Sequence, residues 1–299
     1  MKALITGGSG FVGTYLQTHC KAEGDEVVSV DRSGSEPLDI TDRDAVEESF
    51  GRHRPDVVYH LAALTHVGES WADPTGVLRV NVEGTAHVLN AARAVGVGRV
   101  VMIGSAEEYG LVEEEDLPLC EEAPLRPVSP YGVSKIAAAY LGVQAYLAYG
   151  LDVVRVRAFG HTGPGQSDRF LVPALAARIA KAEREAQDEI RVGSLDPVRD
   201  LSDVRDVVRA YRLLAVRGEA GAVYNVCSGT GVSVRDIAAH LVAAARRPLR
   251  VVQDPDLVRP VDVPRLVGNG TRLREHTGWA PEYSLEETLA AVLDDARGR

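Results

Sequence analysis

Ala3-Leu4-Ile5-Thr6-Gly7-Gly8-Ser9-Gly10-Phe11-Val12-Gly13 carries more structural information than any other stretch of the chain. A short apolar run ends in glycines spaced G-x-x-G-x-x-G, and an apolar helical pattern follows through Leu16. Each glycine answers a physical need. Gly7 permits a tight turn out of a strand, Gly10 lets backbone approach a pyrophosphate, and Gly13 lets the following helix pack closely on the strand. The start of that helix offers free N–H groups and a positive dipole end to phosphate. A second strand pattern, Glu26-Val27-Val28-Ser29-Val30, ends at Asp31. That acid follows the glycines by about twenty residues, where a carboxylate can hold ribose hydroxyls. A glycine triplet alone is an ordinary turn; the strand, the helix and the acid make it a predicted dinucleotide site.

The rest of the composition narrows the function. The chain has 299 residues, 45% hydrophobic and 25% charged, within the ordinary range for a globular protein. A formal net charge of −10 argues against nucleic acid as the main partner. An anionic substrate would then need a local cluster of arginines. Lys2 leads straight into a strand and the glycine loop, so no signal peptide is expected, and no apolar run approaches membrane-spanning length. Cys20, Cys120 and Cys227 are few and widely spaced, which fits free thiols in a reducing cytoplasm. No Cys/His cluster has the spacing of a zinc site, so no metal is expected.

Strand and helix patterns alternate along the first half. Val57 to Ala63 reads as a buried strand running into a small-residue turn, and Val77 to Val95 as a helix ended by Gly96. Arg99 to Ser105 reads as a strand, Tyr131 to Tyr149 as a helix stopped by Gly150, and Leu151 to Arg157 as the next strand. Near-continuous apolar strands between helices predict an α/β fold, a doubly wound parallel sheet covered on both faces. Its ligands belong at the carboxyl ends of the strands, where the glycine loop, Asp31, Ala62-Ala63 and Ser105 all fall. After Gly160 the texture changes. His161 to Gly165 reads as a loop, Phe170 to Ala186 as a helix, Glu189 to Gly193 as a short strand, and Val223 to Val226 as one more sheet strand. Residues 1–160 are therefore expected to form the dinucleotide-binding lobe, with a strand returning near 221–228. Residues 161–299 should form most of a smaller substrate lobe, with the cleft between the lobes as the site.

Tyr131 and Lys135 stand one helical turn apart and share a face. A phenol normally titrates near 10, and both a nearby ammonium and an oxidised nicotinamide favour phenolate. Such a tyrosine is expected to pass a proton to or from a carbonyl oxygen. Lys135 can also hold the nicotinamide ribose, and Ser105 can donate a hydrogen bond to the same substrate oxygen. The pair alone would be a packed tyrosine beside a surface lysine; the glycine loop and the strand-end serine, in that order, give it weight.

Gly7 to Gly13, His60-Leu61-Ala62-Ala63, Asn81, Ser105 and Tyr131-Gly132-Val133-Ser134-Lys135 together resemble the extended short-chain dehydrogenase/reductase family, over the full length. The resemblance implies a Rossmann lobe with a C-terminal nucleotide-sugar lobe, Ser105, Tyr131 and Lys135 as the catalytic set, and a homodimer formed through the helix bearing Tyr131. It implies cofactor contacts at Gly7, Gly10, Phe11, Val12, Gly13, Asp31, Arg32, Asp39, Ile40, Leu61, Ala62, Ala63 and Asn81, as well as at Tyr131 and Lys135. Ile190 to Leu195, Arg199 to Tyr211 and Arg259 to Gly268, followed by Thr277-Gly278-Trp279, are similar to the GDP-4-keto-6-deoxy-mannose reductases of that family. Arg191, Arg199 and Arg259 are the arginines expected to meet a diphosphate. Gly160 stands where relatives carry an asparagine that often contacts that diphosphate. Glu107 stands where sugar 4,6-dehydratases keep a base, but Ala106 replaces the acid or hydroxyl that accompanies it.

The expected activity is therefore reduction of a nucleotide-linked, GDP-bearing 4-keto-6-deoxy sugar at C4. A 4,6-dehydratase or 4-epimerase that recycles its nicotinamide is the alternative, and a non-catalytic dinucleotide sensor a remote one. Asp31 repels a 2′-phosphate and favours NAD, while Arg32 beside it can accept one, so NADP is also usable.

Overall fold

The computed structural model describes residues 1–257 and 263–299. In chain order the first half contains β1 (Lys2–Thr6), α1 (Phe11–Ala22), β2 (Glu26–Val30), α2 (Arg43–His53), β3 (Val57–His60), α3 (Val67–Ser70), α4 (Pro74–Leu78), α5 (Gly84–Val95), β4 (Arg99–Ser105), α6 (Pro130–Tyr149) and β5 (Val153–Ala158). The second half contains β6 (Gly160–Thr162), α7 (Leu171–Arg184), β7 (Glu189–Val192), β8 (Val198–Asp203), α8 (Val204–Arg217), β9 (Val223–Val226), β10 (Gly231–Ser233), α9 (Val234–Ala243), β11 (Arg250–Gln253), β12 (Arg265–Leu266), α10 (Thr271–Thr277) and α11 (Leu285–Gly298).

Six strands in the order β2-β1-β3-β4-β5-β9 pair in parallel to form the central sheet. β3 is buried throughout, as a strand covered on both faces must be. One face packs Leu16 and Cys20 of α1 with Val207, Tyr211 and Leu214 of α8, and Trp279 closes that layer. The other face packs Val46 and Phe50 of α2 with Val88 and Leu89 of α5. A separate core holds the smaller lobe together: Leu175 and Ile179 of α7, Ile237 and Leu241 of α9, Leu289 and Leu293 of α11. β6, β8, β10 and β12 form a small sheet, and β7 pairs with β11. Strand order reverses between β1 and β3, and a crevice opens outside their carboxyl ends.

Three expectations are corrected. The helix predicted from Val77 starts at Pro74 and is broken by a π-helical turn, Arg79–Glu83, so one extra residue bulges out around Asn81. His161 and Thr162 are not loop: they belong to β6, which runs parallel to β8. The strand read from Leu151 starts at Val153. These departures depend on partners distant in the chain, which local periodicity does not carry.

Candidate active site

The glycine loop is as tight as its spacing demanded. Gly7 has φ +71°, and a Cβ there would lie 2.7 Å from the Ala62 nitrogen. A Cβ on Gly13 would stand 2.5 Å from the carbonyl oxygens of both Gly7 and Gly8. The backbone thus forms a cradle that side chains would fill. Gly10, the residue before α1, makes no side-chain cap, so the first-turn N–H groups face the cleft without one. The cleft has a volume of about 640 Å³. Gly7, Gly10, Phe11, Val12, Gly13, Asp31, Arg32, Asp39, Ile40, Leu61, Ala62 and Ala63 all line it. These residues fit a nicotinamide dinucleotide: a pyrophosphate cradle, an acid after β2 and an apolar floor.

Asp31 accepts a hydrogen bond from the Ser33 nitrogen at 3.4 Å. The Asp39 carboxylate is held below its usual range by hydrogen bonds from Thr41, with help from the charges of Arg32 and Arg79. Asn81, read as a cofactor contact, is placed elsewhere. It is buried, it is not among the cleft-lining residues, and its amide is fully used. Nδ2 donates to the Leu64 carbonyl at 3.0 Å and to Ser134 Oγ at 2.9 Å, and Oδ1 accepts from the Leu64 nitrogen at 2.8 Å. It ties the loop after β3 to α6.

Ser105, Glu107, Tyr131 and Lys135 meet at the far end of the same cleft. Ser129 caps α6 by accepting from the Gly132 nitrogen at 3.0 Å, and Pro130 opens the helix. Tyr131 therefore enters in the first turn, beside the end of β4. Lys135 Nζ donates to the Ile103 carbonyl at 2.8 Å and lies 5.9 Å from the centre of the Tyr131 ring. Burial pulls the Lys135 ammonium down to about 8, with Glu108 opposing the fall.

The Tyr131 phenol departs from expectation. Burial pushes it well above its usual value; a hydrogen bond with Ser105 pulls it back, and the charges of Glu107 and Glu108 push it further up. Desolvation of the phenolate outweighs the adjacent cation. Tyr131 is held in its protonated form.

The predicted arginines separate. Arg199 lines the cleft, with Nη1 on the carbonyls of Val198 at 2.9 Å and Val263 at 2.8 Å. Arg191 does not reach it: it is exposed on β7 and pairs with Asp254 at 3.5 Å and Glu189 at 3.9 Å. Arg259 lies outside the described residues. Gly160 lines the cleft, and a Cβ there would meet the Asp200 carbonyl at 2.7 Å and Leu201 at 2.8 Å. The close pairing of β6 with β8 leaves no room for a side chain at this place.

His161, Gln166, Phe170 and Tyr211 also line the cleft and were not anticipated. Nor was Glu108, a buried carboxylate ion-paired with Arg157 at 3.0 Å. A signal for it existed: Ser105 and Glu108 have the S-x-x-E spacing of a capping box, which the structure forms. Among the described residues, no group of three or more His, Cys, Asp or Glu side chains could hold a metal ion, and no helix is long and apolar enough to cross a membrane.

A sequence model of the GDP-mannose 4,6-dehydratase family matches residues 35–292. The GDP-6-deoxy-D-mannose reductase of Pseudomonas aeruginosa is 38% identical over 300 residues, spanning 100% of this chain and 98% of its own. The structure of RMD from Pseudomonas aeruginosa complexed with NADPH superposes with a TM-score of 0.91 at 37% identity, covering 100% of both chains. The UDP-glucose 4-epimerase of Thermus thermophilus, in complex with NAD, gives a TM-score of 0.88 at 31% identity over 100% of this chain and 99% of its own.

Proposed function

This chain belongs to the GDP-mannose 4,6-dehydratase family of short-chain dehydrogenase/reductases, and we propose that it reduces a GDP-linked 4-keto-6-deoxy sugar at C4 with NADH or NADPH. One observation carries the reading: Ser105, a protonated Tyr131 and Lys135 line the same cleft as the glycine cradle. The cleft would hold a reduced nicotinamide, which when bound would supply hydride to C4. Tyr131 gives its hydroxyl proton to O4 as the charge develops there, Ser105 steadies O4 with a hydrogen bond, and Lys135 holds the ribose beside them. Reduction needs the phenol in its acid form, which burial and the neighbouring carboxylates favour. Asp31 sets a preference for NADH, and Arg32 at the cleft mouth leaves NADPH usable.

A dehydratase is the second reading, because Glu107 lines the cleft near Tyr131. Elimination needs an acid beside that base, and Ala106 offers only a methyl group packed against Tyr109 and Phe159. The test supplies purified protein with the GDP-4-keto-6-deoxy sugar and each reduced cofactor in turn. Consumption of one reduced cofactor per product supports the reductase. Turnover of GDP-mannose without added cofactor overturns it in favour of the dehydratase.

The same reading includes a homodimer in the cytoplasm. α6 leaves Val133, Tyr140 and Leu147, spaced seven residues apart and so on one face, exposed, an apolar stripe that suits a second copy. Light scattering is expected to give a dimer mass, and Leu147→Glu a monomer mass. The three cysteines are unpaired, as a reducing compartment would keep them.

A further inference from the structure

Behind the main cleft lies a second cavity of about 20 Å³, large enough for little more than a water molecule. Lys135, Glu108, Arg155, His60 and Asn81 are among its walls. Glu108 is the only carboxylate among the described residues lining it, and it is 1% exposed. Both of its oxygens are fixed. Oε1 accepts from the Ser105 nitrogen at 3.0 Å, and Oε2 accepts from Arg157 Nε at 3.0 Å. Arg157 is anchored in turn on the Tyr109 hydroxyl at 3.1 Å and the Glu121 carbonyl at 2.8 Å.

The geometry points to Glu108 as the counter-charge of Lys135, a positioning residue that keeps the buried ammonium protonated without touching substrate or cofactor. The charges around that space make the case. Arg155 of β5 and Lys135 of α6 line the cavity, and Arg157 of β5 pairs with Glu108 beside it. Glu122, ion-paired with Arg272, also acts on Arg157, but Glu108 is the carboxylate at the cavity wall that faces Lys135 and Arg155. His60 on β3 is neutral, its imidazole pulled down to about 3 by burial. Tyr131 is protonated, and Glu107 acts on that phenol from the cleft side. Asn81 and Thr85, facing from the π turn and α5, carry no charge. Arg155 donates from Nη2 to the Gly221 carbonyl at 2.9 Å, and its Nε is buried and unbonded. Arginine does not shed its proton in proteins, whereas a buried lysine does so readily. Without Glu108 no carboxylate among the described residues lines the cavity, and of the cations there Lys135 is the one that gives up its proton readily.

The inference rests on the reading of Lys135 as part of the active site, but its test does not need turnover. Trace labelling of the free protein with acetic anhydride across pH 6–10, read by mass spectrometry at Lys135, reports the midpoint at which the amine becomes nucleophilic. The wild-type midpoint is expected near pH 8, where burial places it. Glu108→Gln keeps an acceptor for the Ser105 nitrogen, and its midpoint is expected to fall by about one pH unit or more, the scale of a lost neighbouring charge. Glu108→Asp restores the charge and should return the midpoint toward wild type. Arg155→Met removes a competing cation and should raise it. It decides the matter if Glu108→Gln does not fold. Unchanged midpoints in folded Glu108→Gln, or in Arg155→Met, overturn the assignment. In turnover, the alkaline limb of kcat should move with the labelling midpoint. If the midpoints shift while no keto sugar is reduced, the counter-charge stands and the proposed activity falls.

Discussion

Tyr131 is buried, yet the proposed reaction has it give a proton to a ligand. Its placement in the first turn of α6 reconciles the two demands: the ring packs at the end of β4 while the hydroxyl reaches Ser105 at the cleft. Tyr131→Phe keeps the ring and removes the proton. Fluorescence titration is expected to give near-normal cofactor affinity, with kcat reduced by roughly 10² to 10⁴, the range for a general acid. His60 makes a second prediction. Its two ring nitrogens bond Thr6 Oγ1 at 2.8 Å and Thr85 Oγ1 at 2.9 Å, and burial lowers its pKa to about 3. The unfolded chain takes up this proton at the ordinary histidine value near 6.5, the folded protein only near 3. This contribution to stability is complete above the unfolded value and is lost as pH falls toward the folded one, by up to about 1.4 kcal/mol per pH unit. Urea melts at neutral and at mildly acidic pH should therefore show a larger loss for wild type than for His60→Gln.

Among the elements, those built from local pattern were legible in the sequence, and those built from distant pairing were not. The alternation of apolar runs and helical spacing located β4 to the residue, and Gly96 and Gly150 both cap helices as read. The glycine cradle was legible because it obeys a fixed spacing over a few residues. Asn81 could be picked out as special, but its target could not: the π turn that aims it at Ser134 depends on α6, about fifty residues away. The burial that raises the Tyr131 phenol was illegible for a related reason, since it is a property of the assembled fold. Gly160 shows the same limit. Its missing side chain looked like a lost contact, whereas the close approach of β6 to β8 makes it a packing requirement. Gly160→Asn is accordingly expected to destabilise the protein by about 1–3 kcal/mol, as overpacking does, and to raise KM for the nucleotide sugar. A thermal melt and a substrate titration together check it. A tighter KM with unchanged stability would mean that β6 yields and the asparagine finds the ligand.

For the whole molecule, the boundary between lobes in space does not follow the boundary in sequence. β9 pairs with β5 to close the central sheet, and α8 with Trp279 covers one of its faces, although all three come from the second half of the chain. Residues 1–160 expressed alone would expose the apolar side of β1, β3 and β5 that Val207, Tyr211 and Leu214 normally cover. That fragment is expected in the pellet, and co-expression with residues 161–299 is expected to return it to the supernatant. A nascent chain leaving the ribosome meets the same difficulty. It must wait with a bare sheet until residues 204–226 have been translated, so synonymous codons that slow that late stretch should lengthen its dependence on chaperones.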